Sequence, residues 1–223
     1  MFVVARLSNA ARTDMPFPSA ARVRLAWTRD GHDFEAVEPD VPLLEQHAER
    51  LRDWYNAPEN ASTMDGSGNM SRQDVLEFWY ELRRSGGRGF FGFVDGDLVG
   101  DADLRNIDSS AATGEFAVMI GGATQKGRGV GRALSMMVHV FAFRELSLDR
   151  LYVPPRLDNA RVHALNAFLG YERDDSPAAR AFADSPDCET YSIGSAAFQR
   201  RHADAWREVV SVTLSSPAAG LER

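Results

Sequence analysis

The sequence predicts an α/β (α+β) domain built on a mixed, mostly antiparallel sheet with helices on both faces. Three observations predict it. Arg29-Asp30-Gly31 lies between apolar runs at 23–28 and 34–37, and Asp95-Gly96-Asp97 lies between runs at 90–94 and 98–104. Each is a hairpin signal, which makes antiparallel strands. Two segments carry apolar residues at helical spacing: Leu44, Ala48, Leu51 and Tyr55, then Val75, Phe78 and Leu82. Finally, a strand, a glycine run, a long helix and a second strand follow one another over 115–153, and such a crossover makes two strands parallel.

The remaining elements follow in chain order. Residues 1–20 show no clear period and read as an N-terminal arm, with the domain spanning 21–210. Pro39 and Pro42 lead into a helix at 43–55, and 56–69 is a polar loop. Ser71, with Asp74 three residues on, caps the next helix, which Ser85-Gly86-Gly87 ends. A strand at 115–120 stops at Gly121-Gly122, and a helix covers 129–146 with Leu134, Met137, Val138 and Phe141 on one face. A strand at 150–153 is stopped by Pro154-Pro155, and a helix at 159–169 ends at Gly170. A loop with weak helical content at 174–187, a strand at 189–193, a polar helix to about 210 and a frayed tail at 211–223 complete the chain.

Composition narrows the function. Hydrophobic residues make up 44% and charged residues 26% of the 223, as in an ordinary folded domain. With 25 basic and 32 acidic side chains the formal charge is -7, which argues against a nucleic-acid partner bound through a general basic field. Cys188 is the only cysteine, so an internal disulfide is excluded and a reducing cytoplasm is the expected compartment. The apolar start at 1–7 is broken by Arg6, and the most apolar helix, near 133–143, carries His139 and is flanked by Arg132 and Arg144. The first is too short for a signal peptide and the second for a bilayer span, so no membrane association is expected. The five histidines have no metal-ligand spacing.

The run Lys126-Gly127-Arg128-Gly129-Val130-Gly131 carries the most information. Glycines between a strand and a helix let backbone N–H groups approach a ligand, and the helix start adds unpaired donors and partial positive charge. Spacing then separates the cradles. A P-loop needs Gly-Lys-Ser/Thr, whereas Lys126 is followed by Gly127 and Arg128. A dinucleotide fingerprint needs a third glycine where Arg132 stands. The run instead resembles the Arg/Gln-x-x-Gly-x-Gly/Ala signature of the GNAT acyltransferase superfamily, with Lys126 in the Arg/Gln position and Gly129 and Gly131 as the signature glycines. A second block agrees: a strand at 151–153, then Asn159, then Leu169-Gly170-Tyr171 in place of Leu-Gly-Phe. The resemblance covers about 90–195. It is weaker over 34–90, where Asp53-Trp54-Tyr55-Asn56 is similar to a Trp-x-Asn motif of members that acetylate protein N-termini or amino sugars.

The resemblance implies an acyl-CoA-dependent N-acyltransferase using acetyl-CoA or another short acyl-CoA as co-substrate, with no metal. The pyrophosphate of coenzyme A is expected on Lys126, Gly127, Arg128, Gly129, Val130, Gly131 and Arg132, with Asn159 as a further contact. A backbone N–H within 118–120 (Val118, Met119, Ile120) is expected to meet the oxyanion. Glu115, 14 residues before Gly129 on the preceding strand, is the candidate base; a solvated carboxylate at a strand start is the alternative. The family's acidic tyrosine is replaced by Asn166, which donates a hydrogen bond and supplies no proton. Asn159, His163 and Asn166 share a helical face, so His163 is a candidate acid or a plain surface histidine. Trp54, Asp101 and Asp103 are candidate acceptor contacts. For the two aspartates a solvated strand face is the alternative, and for Trp54, Tyr55 and Trp79 a core role. The acceptor is an amine on a small molecule or a peptide, and the resemblance is compatible with a homodimer. A non-catalytic acyl-CoA sensor is the competing reading.

Overall fold

The computed structural model describes residues 21–62, 68–121, 128–183 and 185–214. One nine-stranded sheet runs through it. Its strands are β1 (Arg22–Arg29), β2 (His32–Val37), β3 (Arg88–Val94), β4 (Asp97–Asp108), β5 (Thr113–Ile120), β6 (Arg150–Val153), β7 (Glu172–Arg173), β8 (Tyr191–Gly194) and β9 (Val210–Leu214). The spatial order is β7-β8-β6-β5-β4-β3-β2-β1-β9. Only β5 and β6 pair in parallel; every other neighbouring pair is antiparallel. The expected fold class is therefore the observed one.

One sheet face carries α1 (Val41–Asn56) and α3 (Arg72–Arg84), with the short α2 (Pro58–Ala61) between them in sequence. Asp40 starts α1 by accepting the Leu43 N–H at 3.0 Å, and Pro42 sits in the first turn, where a missing N–H costs nothing. Ser71 and Asp74 form a reciprocal capping box on α3. The buried stripes Leu44, Ala48, Leu51, Tyr55 and Val75, Leu76, Trp79, Leu82 pack on Phe91, Leu98 and Met119 of the sheet.

The other face is covered by α4 (Val130–Val140), its π-helical continuation at Phe141–Glu145, α5 (Ala160–Leu169), α7 (Ser195–Arg201) and α8 (Ala203–Glu208). Phe90, Leu104 and Phe116 point to this side. The four-residue α6 (Pro177–Arg180) precedes Phe182, whose ring stacks on Tyr152 at 4.4 Å.

Three differences from the sequence reading have local causes. The polar segment at 56–69 contains α2, a turn started by Pro58. The polar helix after β8 is two helices, broken at His202 with φ -121 and ψ 47. Residues 210–214, expected from the sequence to end a helix and begin a frayed tail, form β9, which pairs with β1 from Arg22↔Leu214 to Ala26↔Val210. Its apolar residues are left outside the core, with Val210 56% and Val212 48% exposed, so no burial pattern marks it in the sequence.

Candidate active site

β5 and β6 are paired only over Thr113↔Arg150, Gly114↔Leu151 and Glu115↔Tyr152. Beyond Val153 the chain enters Pro154-Pro155, which donate no ladder hydrogen bonds, while β5 continues to Ile120. A gap therefore opens beside residues 116–120. Gly121 N–H donates to Val99 C=O at 2.8 Å, and antiparallel bonding alternates, so the peptides at 119, 117 and 115 face β4. The backbone groups of Phe116, Val118 and Ile120 face the gap. Of the expected oxyanion contacts, Val118 and Ile120 are thus turned toward it. The Met119 peptide is turned away, and its side chain lies in the α1/α3 core.

The start of α4 stands at the far end of the same strand. Its first helical bond runs from Ala133 N–H to Gly129 C=O at 3.0 Å, so the amides of Val130, Gly131 and Arg132 have no partner within the helix. Gly129 caps it in the left-handed region, φ +81, with no side-chain cap and with open space where a Cβ would point. A Cβ on Gly131 would lie 3.2 Å from Ile120, so this glycine lets the helix approach the strand. Val130 is buried, Arg128 is exposed, and the Arg132 guanidinium lies 4.4 Å from the Phe168 ring centre. Lys126 and Gly127 lie outside the described residues.

α5 borders the gap from the β6 side. Asn159 caps it, accepting Val162 N–H at 3.2 Å. His163 Nε2 is 3.1 Å from Arg156 C=O, which places the ring proton on Nε2 and points it at backbone. Asn166 is 3% exposed, and its Nδ2 has no hydrogen-bond partner among the described residues. An orphaned buried donor is costly in a folded chain, and a ligand group arriving beside it removes the cost. Amides without a partner in the helix, a cap with no side chain, an open strand edge and a buried donor without a partner among the described residues fit a long polar co-substrate with a pyrophosphate within its length, as acetyl-CoA has.

The opposite face of β4 and β5 holds a buried polar cluster. Asp101 pairs in register with Met119, Asp103 with Ala117 and Arg105 with Glu115, so all point to the α1/α3 side. Asp101, Asp103 and Glu115 are 6%, 4% and 8% exposed, which removes the solvated-face alternative for all three. Arg105 grips Asp103 with Nε and Nη2 at 2.7 and 2.8 Å, and its Nε lies 4.0 Å from Glu115. Burial works against the Arg105 charge, but Asp103, Glu115 and Asp101 outweigh it and hold its pKa above the usual value. Asn106 Nδ2 donates to Glu115 Oε2 at 2.8 Å. The Tyr55 hydroxyl donates to Asp101 Oδ2 at 2.7 Å and accepts from Trp79 Nε1 at 3.3 Å. Burial raises the Asp101 carboxyl to about 7; the Tyr55 bond opposes the rise and the Asp103 charge adds to it.

Trp54 forms a wall at the far end of this face. Its ring lies over Gly121, where a Cβ would sit 2.3 Å from ring atoms. Tyr55 and Trp79 are core residues, 2% and 3% exposed, as their alternative reading had it. The structure thus joins Glu115, Asp101 and Asp103 in one cluster and sets Asn159, His163 and Asn166 along one helix. Sequence reasoning missed Arg105 and Asn106. Arg105 was legible as the next same-face position after Asp101 and Asp103. Asn106 was not, because it sits at φ +50, out of strand alternation.

A family model described as an acetyltransferase (GNAT) domain matches residues 43–176. The chain therefore belongs to the GNAT acetyltransferase family and is an N-acetyltransferase. Its sequence is 25% identical over 146 residues to an N-acetyltransferase 9-like protein of Caenorhabditis briggsae, covering 60% of this chain and 73% of that one. Its fold is similar to that of spermidine N-acetyltransferase from Vibrio cholerae, solved with CoA and spermine, at TM-score 0.58 and 16% identity over 79% of this chain and 97% of the other. It is also similar to aminoglycoside acetyltransferase AAC(6')-Ib in complex with coenzyme A, at TM-score 0.60 and 17% identity over 80% and 98%. No helix among the described residues is long and apolar enough to cross a membrane, and none of their His, Cys, Asp and Glu side chains group as a metal site.

Proposed function

We propose that this protein transfers an acetyl group from acetyl-CoA to a primary amine carried by a small cationic molecule or a peptide, with both substrates bound at once. The observation that carries the reading is the gap between β5 and β6, with a helix start that has no side-chain cap at one end and buried carboxylates on one face beside it. The amides of Val130, Gly131 and Arg132, which have no partner within the helix, hold the pyrophosphate together with Arg128 and, from the sequence signature, Lys126 and Gly127. Asn159 and the Asn166 amide line the rest of the chain-shaped site, and Val118 and Ile120 offer backbone N–H groups to the oxyanion. Acetyl-CoA supplies an activated thioester carbonyl; holding an amine against it accounts for much of the acceleration.

On the acceptor side, three carboxylates face one guanidinium, so the cluster carries surplus negative charge and attracts an ammonium. Glu115, the sequence-derived base, already accepts an Asn106 hydrogen bond and lies near Arg105, which suits an anchor for that ammonium. Trp54 and the Tyr152–Phe182 stack supply apolar walls. A single cysteine, Cys188, and the use of acetyl-CoA support a cytoplasmic setting.

The test has two stages. Saturating acetyl-CoA should raise the melting temperature by several degrees, as about 3 kcal/mol of binding stabilisation does for a chain of this size. Thiol release with acetyl-CoA is then followed across spermidine, an aminoglycoside, an amino sugar and short peptides with free N-termini. Release that depends on one amine class supports the reading. Binding without release from any amine would make the chain a sensor instead.

A further inference from the structure

The three carboxylates of the acceptor face are not equivalent. Asp103 is held by two nitrogens of Arg105. Glu115 is held by Asn106, with Arg105 4.0 Å away. Asp101 touches no cation among the described residues. Its Oδ2 accepts the Tyr55 hydroxyl, and it makes no other hydrogen bond among the described residues, which leaves Oδ1 with free lone pairs. Tyr55 is itself oriented: it accepts from Trp79 and therefore turns its own proton to Asp101. Around the carboxyl stand Phe91 of β3, Met119 of β5, Tyr55 of α1 and Trp79 of α3, all uncharged. The charged groups facing it are Asp103 and Arg105 on its own strand and Glu115 further along β5; His47 of α1 meets the ring of Phe91, 5.9 Å between centres.

We infer that Asp101 is the group that takes the proton from the acceptor ammonium, and that Tyr55 is the residue that positions it. The inference rests on the acetyl-transfer reading above. A carboxylate locked to arginine is a poor base, because protonating it breaks a charged pair. Asp101 loses only a hydrogen bond from a neutral hydroxyl. Burial also brings its pKa to about 7, where a base both accepts a proton readily and is substantially ionised in neutral solution. In the reaction an N–H bond of R–NH3+ breaks and an O–H bond forms at Asp101 Oδ1. The freed amine attacks the thioester carbonyl, the C–N bond forms and the C–S bond breaks. The second proton lost by nitrogen leaves with the sulfur as the thiol, and Asp101 returns its proton to water.

The experiment combines a ligand-free titration with kinetics, using whichever panel amine the wild type acetylates. Carboxyl 13C NMR of the free protein should show one side chain titrating near 7 that is missing in Asp101→Asn. The acid limb of kcat/KM should have the same midpoint. Asp101→Asn should lose that limb and roughly 100-fold or more in kcat, while binding acetyl-CoA as tightly as wild type. Tyr55→Phe should move the midpoint upward, since it removes the bond that favours the anion. Glu115→Gln should keep the limb and raise the acceptor KM. Asp101→Asn with wild-type kcat and limb, or loss of the limb in Glu115→Gln instead, would overturn the inference while leaving acetyl transfer intact. If Asp101→Asn does not fold, an unmoved midpoint in Tyr55→Phe overturns it. A wild type that binds acetyl-CoA but releases no thiol with any amine overturns the acetyl-transfer reading and this inference with it.

Discussion

Single atoms at this site are set by contacts too close to relax. Gly121 lies under the Trp54 ring, and a methyl group there would meet the ring system itself rather than the tip of a flexible chain. Gly121→Ala should therefore push Trp54 aside, lower stability by about 1–3 kcal/mol and raise the acceptor KM, read from urea melts and initial rates. Asn166 is the opposite case, a buried donor with no partner among the described residues. Asn166→Leu, close in volume, should raise the melting temperature of the free protein by removing an unsatisfied amide. The same variant should show a smaller acetyl-CoA-induced shift, because the bound co-substrate loses a donor. A free protein no more stable than wild type would mean that Nδ2 is already satisfied.

Between elements, a few side chains decide how helices and strands are tied to one another. Asn56 closes α1 onto the start of α3: its Nδ2 donates to Met70 C=O at 2.8 Å and its Oδ1 accepts Met70 N–H at 2.8 Å. This gives a physical reason for asparagine in the Trp-x-Asn segment, since an amide alone offers both partners. Asn56→Ala should cost about 1–3 kcal/mol in stability and raise the acceptor KM with little change in the acetyl-CoA constant. At the other end of the sheet, Glu38 is 1% exposed and pairs with Arg88 through Nε and Nη2 at 2.5 and 2.7 Å. It also accepts Val23 N–H at 2.7 Å, tying β1 to β3 across β2. Glu38→Ala leaves Arg88 without its carboxylate and should cost about 3–5 kcal/mol in a denaturant titration, with kinetic constants little changed in the folded fraction.

Across the whole molecule, pH acts through a histidine that belongs to the core. His139 is fully enclosed among Phe116, Phe143 and Phe198, its Nδ1–H bonded to Ser135 C=O and its Nε2 accepting the Tyr171 hydroxyl. Burial lowers its pKa to about 3, so the folded protein keeps it neutral where the unfolded chain, at 6.5, is protonated. Its contribution to stability is full above 6.5 and is lost as pH falls from there toward 3. Wild type should lose about 2 kcal/mol between pH 7 and pH 5 from this group, and His139→Phe should flatten that slope even if it is less stable at pH 7. The sequence shows His139 only as an interruption in an apolar helix, because protonation depends on which rings enclose it. The same division runs through the site. Hairpin turns, helix caps, Pro154-Pro155 and the glycines at 129 and 131 are local signals, acting through backbone freedom within a few residues, and by themselves they determined the fold class, a mixed and mostly antiparallel sheet with one crossover, and pointed to the loop proposed to hold acetyl-CoA. The character of Asp101 was decided only by tertiary structure: Tyr55 reaches it from 46 residues away, Phe91 and Met119 flank it from neighbouring strands, and Arg105 turns to Asp103 instead. Desolvation and charge pairing depend on the whole shell around an atom, and that shell forms only when distant segments pack together.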